Sequence, residues 1–338
     1  MQFDNVSIVD VSAIDAPHRV SSLELEARLS HTMRRLELAP NLLENLSGIV
    51  ARRMWDGDTP PSAAATLAAR AVIERAGVDP NKIGVVINTS VCRDFIEPSV
   101  ACIVHGQLGL PHDCINFDLG NACLGFMSGM EVVGNMIERG QVDYGLVVDG
   151  ENSRFVVDST IERLSAPDVS EATFRANFAT LTLGSGGAAM LLARSDLAPS
   201  GHRFLGGVSL AATEHHGLCK GQVDGMLTDA RALLIAGIQL AVQTYRQAGD
   251  TLGWKSDSLD ELVLHQVSKA HTEKLAQALE LDLAKVHRLY PEYGNVGPAA
   301  VPMVLAKAVE AGRINAGDRV GMMGIGSGLN CAMAEIVW

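Results

Sequence analysis

Short runs of aliphatic and β-branched residues alternate along the chain with longer segments whose apolar positions recur every three or four residues, and Gly, Asp and Pro separate the two. The runs KIGVVINTSV (82–91), YGLVVDG (144–150), AAMLLA (188–193) and ELVLHQV (261–267) predict buried strands. The segments 62–77, 124–140, 233–249 and 298–312 predict helices, each closed by a glycine. Strands and helices that alternate in this way predict an α/β protein.

The pattern also repeats. A helix ending at Gly77 leads through VDPNK into IGVVINTS, and a helix ending at Gly249 leads through TLGWKSDS into ELVLHQVS. Next, Asn121-Ala-Cys123 opens a helix that stops at Gly140 before YGLVVDG, while Gly294-Asn295-Val-Gly opens one that stops at Gly312 before RVGMMGIG. The distance from Cys123 to Gly140 equals that from Asn295 to Gly312, so Cys123 and Asn295 are predicted at equivalent helix starts. The reading is two related βαβ halves, 1–195 and 196–338.

Composition narrows the function. Of 338 residues, 39 are acidic and 27 basic, giving a formal charge of −12 that argues against nucleic acid as the main partner. With 47% hydrophobic residues, 4% aromatic and 33 glycines, the interior must be aliphatic and closely packed. No apolar run approaches the ~18 residues of a membrane span. The N-terminus has no basic region of the signal-peptide kind, so a cytoplasmic protein is expected. Six cysteines lie without a CxxC pair, which favours reduced thiols over a disulfide or zinc framework.

Three residues then become candidates for chemistry. Cys123 at a helix start meets free N–H groups and the positive end of the dipole, a setting that biases a thiol toward thiolate. His265 follows an apolar strand where the chain leaves the sheet, the usual place for a ligand cleft, though a structural histidine fits there too. Asn295 suits a helix cap as well as a donor. The GIGSGLN stretch (324–330) lacks the third glycine of a dinucleotide fingerprint and has no room for a crossover helix after it. It reads as a tight turn that offers backbone N–H groups to a ligand. His215, His216 and Cys219 lack the spacing and fourth ligand of a metal site and are taken as loop residues.

Together NFDLGNACLGFMSGM, HQVSKAH, YGNVGPAAVP and the terminal GIGSGLN, in that order, resemble the thiolase superfamily. Within it the chain is most similar to the ketoacyl synthase III-like condensing enzymes. INTSVCRDFIEPS (87–99) and LAATEHHGLCKG (210–221) further resemble the subgroup that joins two fatty acyl-CoAs head to head in olefin and β-lactone pathways. The resemblance covers essentially the whole chain. It implies a thiolase fold, two pseudo-repeated βαβαβ halves in five αβαβα layers, and a homodimer.

It also implies roles. Cys123 would form an S-acyl enzyme with one long-chain acyl-CoA, and the N–H groups of Cys123 and Ser327 would hold the oxyanion. His265 and Asn295 would hydrogen-bond the enolate of a second acyl-CoA. Glu97 would remove its α-proton, reaching the partner subunit's site in trans, with burial raising its pKa. Hydrolysis would leave a 2-alkyl-3-keto acid. Arg52 and Arg53 are candidates for the CoA phosphates, and no cofactor is needed beyond the CoA of the substrate. The small residues Ala122, Gly125, Gly129 and Gly134 are expected to leave room for alkyl channels. Downstream olefin or β-lactone enzymes are possible partners. The alternative within the superfamily is decarboxylative extension of an acyl primer by malonyl thioester; a non-catalytic subunit lending Glu97 to another protein is a third reading.

Overall fold

The computed structural model describes residues 2–255 and 257–338. Among them, nine strands hydrogen-bond in one continuous order: Glu261–Leu264, Arg319–Gly326, Asn330–Val337, His202–Ala211, Val6–Asp15, Gly186–Arg194, Tyr144–Glu151, Ile83–Asn88 and Ile115–Asp118. Apart from the edge strand Ile115–Asp118, the order mirrors about Val6–Asp15 and His202–Ala211, which pair at Ser7–Arg203 and Ile8–His202. On each side an antiparallel strand comes next, then a parallel pair: Tyr144–Glu151 with Ile83–Asn88, and Arg319–Gly326 with Glu261–Leu264. The narrow seam and matched order make two sheets related by a pseudo-twofold axis.

Alternation along each strand builds the layers, because successive side chains leave a sheet on opposite faces. Val85 and Ile87 face a central core with Met190 and Met322, around the helices Gly125–Glu138 and Ala300–Glu310. Their neighbours Val86 and Leu191 face an outer core under the helices Pro61–Ala76 and Val100–Leu108. Met323 and Met333 face another under Ala230–Leu252 and Lys269–Leu279. Helices, sheet, paired helices, sheet and helices are the five layers of a thiolase fold. A satellite core of Leu25, Leu43, Met54, Ile161 and Phe174 caps one side.

The predicted helices lie within three residues of the observed ends. Both central helices stop before left-handed glycines, Gly140 at φ 67° and Gly312 at φ 66°. Their starts differ: Cys123 lies inside a 3₁₀ turn, Ala122–Leu124, whereas Asn295 precedes the corresponding turn, Gly297–Ala299. Glycine brings the outer helix onto the sheet. Gly150 and Gly187 pair across two strands, and a Cβ on Gly150 would stand 2.1 Å from the Pro61 carbonyl oxygen.

Candidate active site

The site gathers where the two halves meet. The Ala122–Leu124 turn carrying Cys123 packs against the Gly297–Ala299 turn that follows Asn295, and against the Arg319–Gly326 strand. Ala122 holds a positive φ of 45°, costly for a residue with a Cβ, and this sharp bend is what offers the next residue's side chain to the cleft. GIGSGLN is the hairpin joining the last two strands, with Gly326 paired to Asn330. Its backbone presses on the Cys123 turn: a Cβ on Gly326 would lie 2.9 Å from the Asn121 oxygen and 3.1 Å from the Leu124 nitrogen. Asn330 Nδ2 donates to Asn121 Oδ1 at 3.0 Å and locks the hairpin carrying Ser327 to the turn carrying Cys123.

His265 is buried one residue beyond the end of its strand, and its backbone N–H donates to the Met323 oxygen at 2.8 Å. Its Nδ1 is enclosed with no hydrogen-bond partner, so the ring is not held in place as a satisfied structural histidine would be. A narrow pocket lined by Gly237, His265, His271, Leu275 and Ile325 adjoins it. Asn295 accepts the Gly297 N–H on Oδ1 at 3.1 Å, which caps the turn and orients the amide with Nδ2 as donor. Cap and donor readings of Asn295 are therefore compatible.

The electrostatics correct one expectation. Burial is the main cause that pushes the Cys123 thiol up to about 12, with Cys219, Glu151 and Asp149 adding to it, so the helix start does not poise a resting thiolate. Burial likewise pulls His265 down to about 3, helped by His271. The resting pair is a neutral thiol and a neutral imidazole.

Glu97 lies on the loop between Asn88 and Ser99, exposed at its tip beside Phe95 (61% exposed) and Ile96 (94%). In one subunit it is not buried. The carboxylates that act most strongly on Cys123 within the chain are Glu151 and Asp149 instead.

Two further expectations fail. Arg52 has no exposed surface; its guanidinium donates to the carbonyls of Val20 and Leu181 and to Ser22 Oγ, and burial lowers it to about 10. It binds the chain to itself and cannot meet a phosphate. Arg53 lies over the Tyr293 ring at 5.8 Å. The glycines of the helix after Cys123 leave no alkyl channel either. A Cβ on Gly125 would meet the Thr89 oxygen at 2.8 Å, on Gly129 the Thr89 and Val147 methyls at 2.9 Å, and on Gly134 the Phe3 ring at 2.9 Å. They serve close packing. Among the described residues no group of His, Cys, Asp and Glu is placed to hold a metal ion, and no helix is long and apolar enough to cross a membrane.

Sequence reasoning missed Asp149 and Glu151. Both are buried at the end of a strand otherwise free of charge. Two acids closing an apolar strand, as in YGLVVDGE, was the available signal.

The 3-oxoacyl-[acyl-carrier-protein] synthase III model matches residues 117–211 and its C-terminal model residues 250–338. An acyl-CoA:acyl-CoA alkyltransferase of Xanthomonas campestris pv. campestris is 50% identical over the full length of both chains. The chain belongs to the ketoacyl synthase III-like OleA family. A second family member of the same description, from Shewanella oneidensis, is 36% identical over the whole of both chains. The cerulenin-bound OleA of X. campestris superposes with a TM-score of 0.98, covering 100% of this chain and 98% of that one. That OleA has also been solved with a cysteine replaced by alanine, a glutamate by alanine and a histidine by asparagine.

Proposed function

We propose that the protein condenses two long-chain acyl-CoAs head to head without decarboxylation. The observation that carries this reading is the pairing of a two-half cleft holding Cys123, His265, Asn295 and the Ser327 hairpin with an exposed, apolar-tipped loop presenting Glu97 away from its own core. The cysteine, glutamate and histidine altered in the Xanthomonas OleA are spaced along that chain as Cys123, Glu97 and His265 are here.

Cys123 sulfur attacks the thioester carbonyl of the first acyl-CoA, its proton passing to a base as the CoA thiolate leaves, and an S-acyl enzyme remains. The N–H groups of Cys123 and Ser327 hold the oxyanion, each such donor being worth about 2.7–4 kcal/mol of barrier. Glu97 of a second copy takes an α-proton from the second acyl-CoA, and His265 and Asn295 stabilise the enolate oxygen. The enolate carbon attacks the acyl carbonyl and Cys123 thiolate departs. Water then cleaves the remaining thioester, so two acyl-CoAs and one water give a 2-alkyl-3-keto acid and two CoA. No cofactor enters beyond CoA. In this reading the halves 1–195 and 196–338 contribute the nucleophile with its base loop and the enolate-binding groups respectively, in a cytoplasmic homodimer that hands its product to olefin or β-lactone enzymes.

The test is incubation with myristoyl-CoA alone. Free CoA and a ketone from spontaneous decarboxylation are expected; turnover only after malonyl thioester is added would overturn the reading in favour of primer extension. Cys123→Ala should lose the acyl enzyme, and Glu97→Ala should keep it yet lose condensation. Mixing the two variants under subunit exchange should restore part of the condensation, because one site then has both groups. No restoration despite heterodimers would place Glu97 outside a trans role.

A further inference from the structure

We propose that Glu151 is a positioning residue for the condensation step, its carboxylate anchoring the backbone of the loop that presents Glu97. The inference rests on the assignment of Glu97 as base.

The loop leaves the sheet at Asn88 and returns at the helix cap Ser99. Glu151 Oε1 accepts the Val91 N–H at 2.6 Å and Oε2 the Cys92 N–H at 3.2 Å, which pins the start of the loop. Cys92 Sγ donates to the Asn152 oxygen at 3.4 Å beside it. Asp94 accepts the Ser62 N–H at 2.9 Å in the middle, and Asp118 accepts the N–H groups of Val100 and Ala101 at 3.0 and 2.8 Å just past the end. Three carboxylates thus clamp a segment whose tip, Phe95 to Pro98, is exposed.

Of the three, Glu151 is the buried one, at 4% exposure, and it also faces the catalytic centre. A Cβ on Gly297, two residues after Asn295, would lie 3.7 Å from Glu151 Oε1. Burying a carboxylate is costly, the more so beside the buried Asp149, and its hydrogen bonds come from the Val91 and Cys92 N–H groups and the Cys92 thiol, with no cation among them. A neutral side chain would serve packing at lower cost. What the carboxylate provides is two acceptor oxygens matched to two successive N–H groups, a fork that fixes the direction in which the chain departs. A base must sit within hydrogen-bond reach of the proton it abstracts, and a shift of 1 Å can cost on the order of 100-fold.

Glu151→Gln keeps the shape but replaces one acceptor by a donor; Glu151→Asp keeps the charge but shortens the reach. Both variants should retain the burst of one CoA per site and lower condensation of myristoyl-CoA on the order of 10- to 100-fold. Hydrogen exchange in the peptide spanning residues 89–98 should quicken. Equal loss of burst and condensation, or undiminished condensation, would overturn the proposal. If Glu97→Ala itself condenses normally, the base assignment fails and this inference with it. If Glu97→Ala is inactive and both Glu151 variants condense normally, only the positioning role fails.

Discussion

At the residue scale, the proposed chemistry depends on groups whose charges are suppressed. The thiol of Cys123 and the imidazole of His265 are neutral over the working pH range, since burial moves one up to about 12 and the other down to about 3. In the proposed reaction, acylation therefore starts from the most populated protonation state, with the proton leaving during attack. Glu151, raised to about 7 by burial beside an equally buried Asp149 whose carboxyl is raised with it, titrates inside that range. Its ionisation adds negative charge near a sulfur that must itself become negative. The CoA burst rate is expected to be level from pH 5 to 9 apart from a decrease as pH rises through about 7, and Glu151→Gln should lack that decrease. Stopped-flow thiol release measures it; a bell with limbs near 6 and 8 in both proteins would contradict the neutral pair. Cys219, half-buried and acting on Cys123, belongs to the same neighbourhood.

At the element scale, glycine lets helices lie against strands at backbone distance. Gly150 and Gly187 form a groove for the Pro61–Ala76 helix, where Cβ atoms would come within 2.1 Å of the Pro61 oxygen and 2.6 Å of the Ala64 oxygen. Backbone cannot rotate away as a side chain can. Gly150→Ala is expected to destabilise by about 3 kcal/mol or more, at the top of the range for overpacking, and to lower the midpoint of thermal unfolding. Gly77→Ala has space around it but φ +63°, so it should cost about 1 kcal/mol, the strain of a left-handed alanine. Two comparable midpoints would show that the helix can shift off the sheet. The central helices follow the same rule, which is why Gly125, Gly129 and Gly134 are filled by Thr89, Val147 and Phe3 and not by alkyl chain.

At the scale of the whole molecule, the proposed dimer would cover the exposed tip of Phe95, Ile96 and Glu97 on its clamped loop. Sedimentation should give a dimer, and Ile96→Asp should weaken it while leaving the fold intact by circular dichroism. If the variant dimer survives dilution unchanged, the tip lies outside the interface. The net charge of −12 leaves the anionic CoA to a local basic surface, and Arg52, locked inside the chain, is no part of it.

The alternation of strands and helices, the repeat and the motif order sufficed for the fold class, because periodicity records which face of each element is buried. The placement of Cys123, His265 and Asn295 was legible for a related reason: each stands where an element ends or begins, and such ends are marked locally by glycine, proline and a break in apolar pattern. The charge state of Cys123 was not legible, since a local motif reports the helix start while burial by distant segments outweighs it. The same holds for Arg52, whose neighbour Leu181 is remote in the chain, and for Glu151, whose two hydrogen bonds reach back to Val91 and Cys92 across the sheet. Long-range packing sets the dielectric and the partners of a side chain, and those decide whether a charged residue binds, reacts or holds another in place.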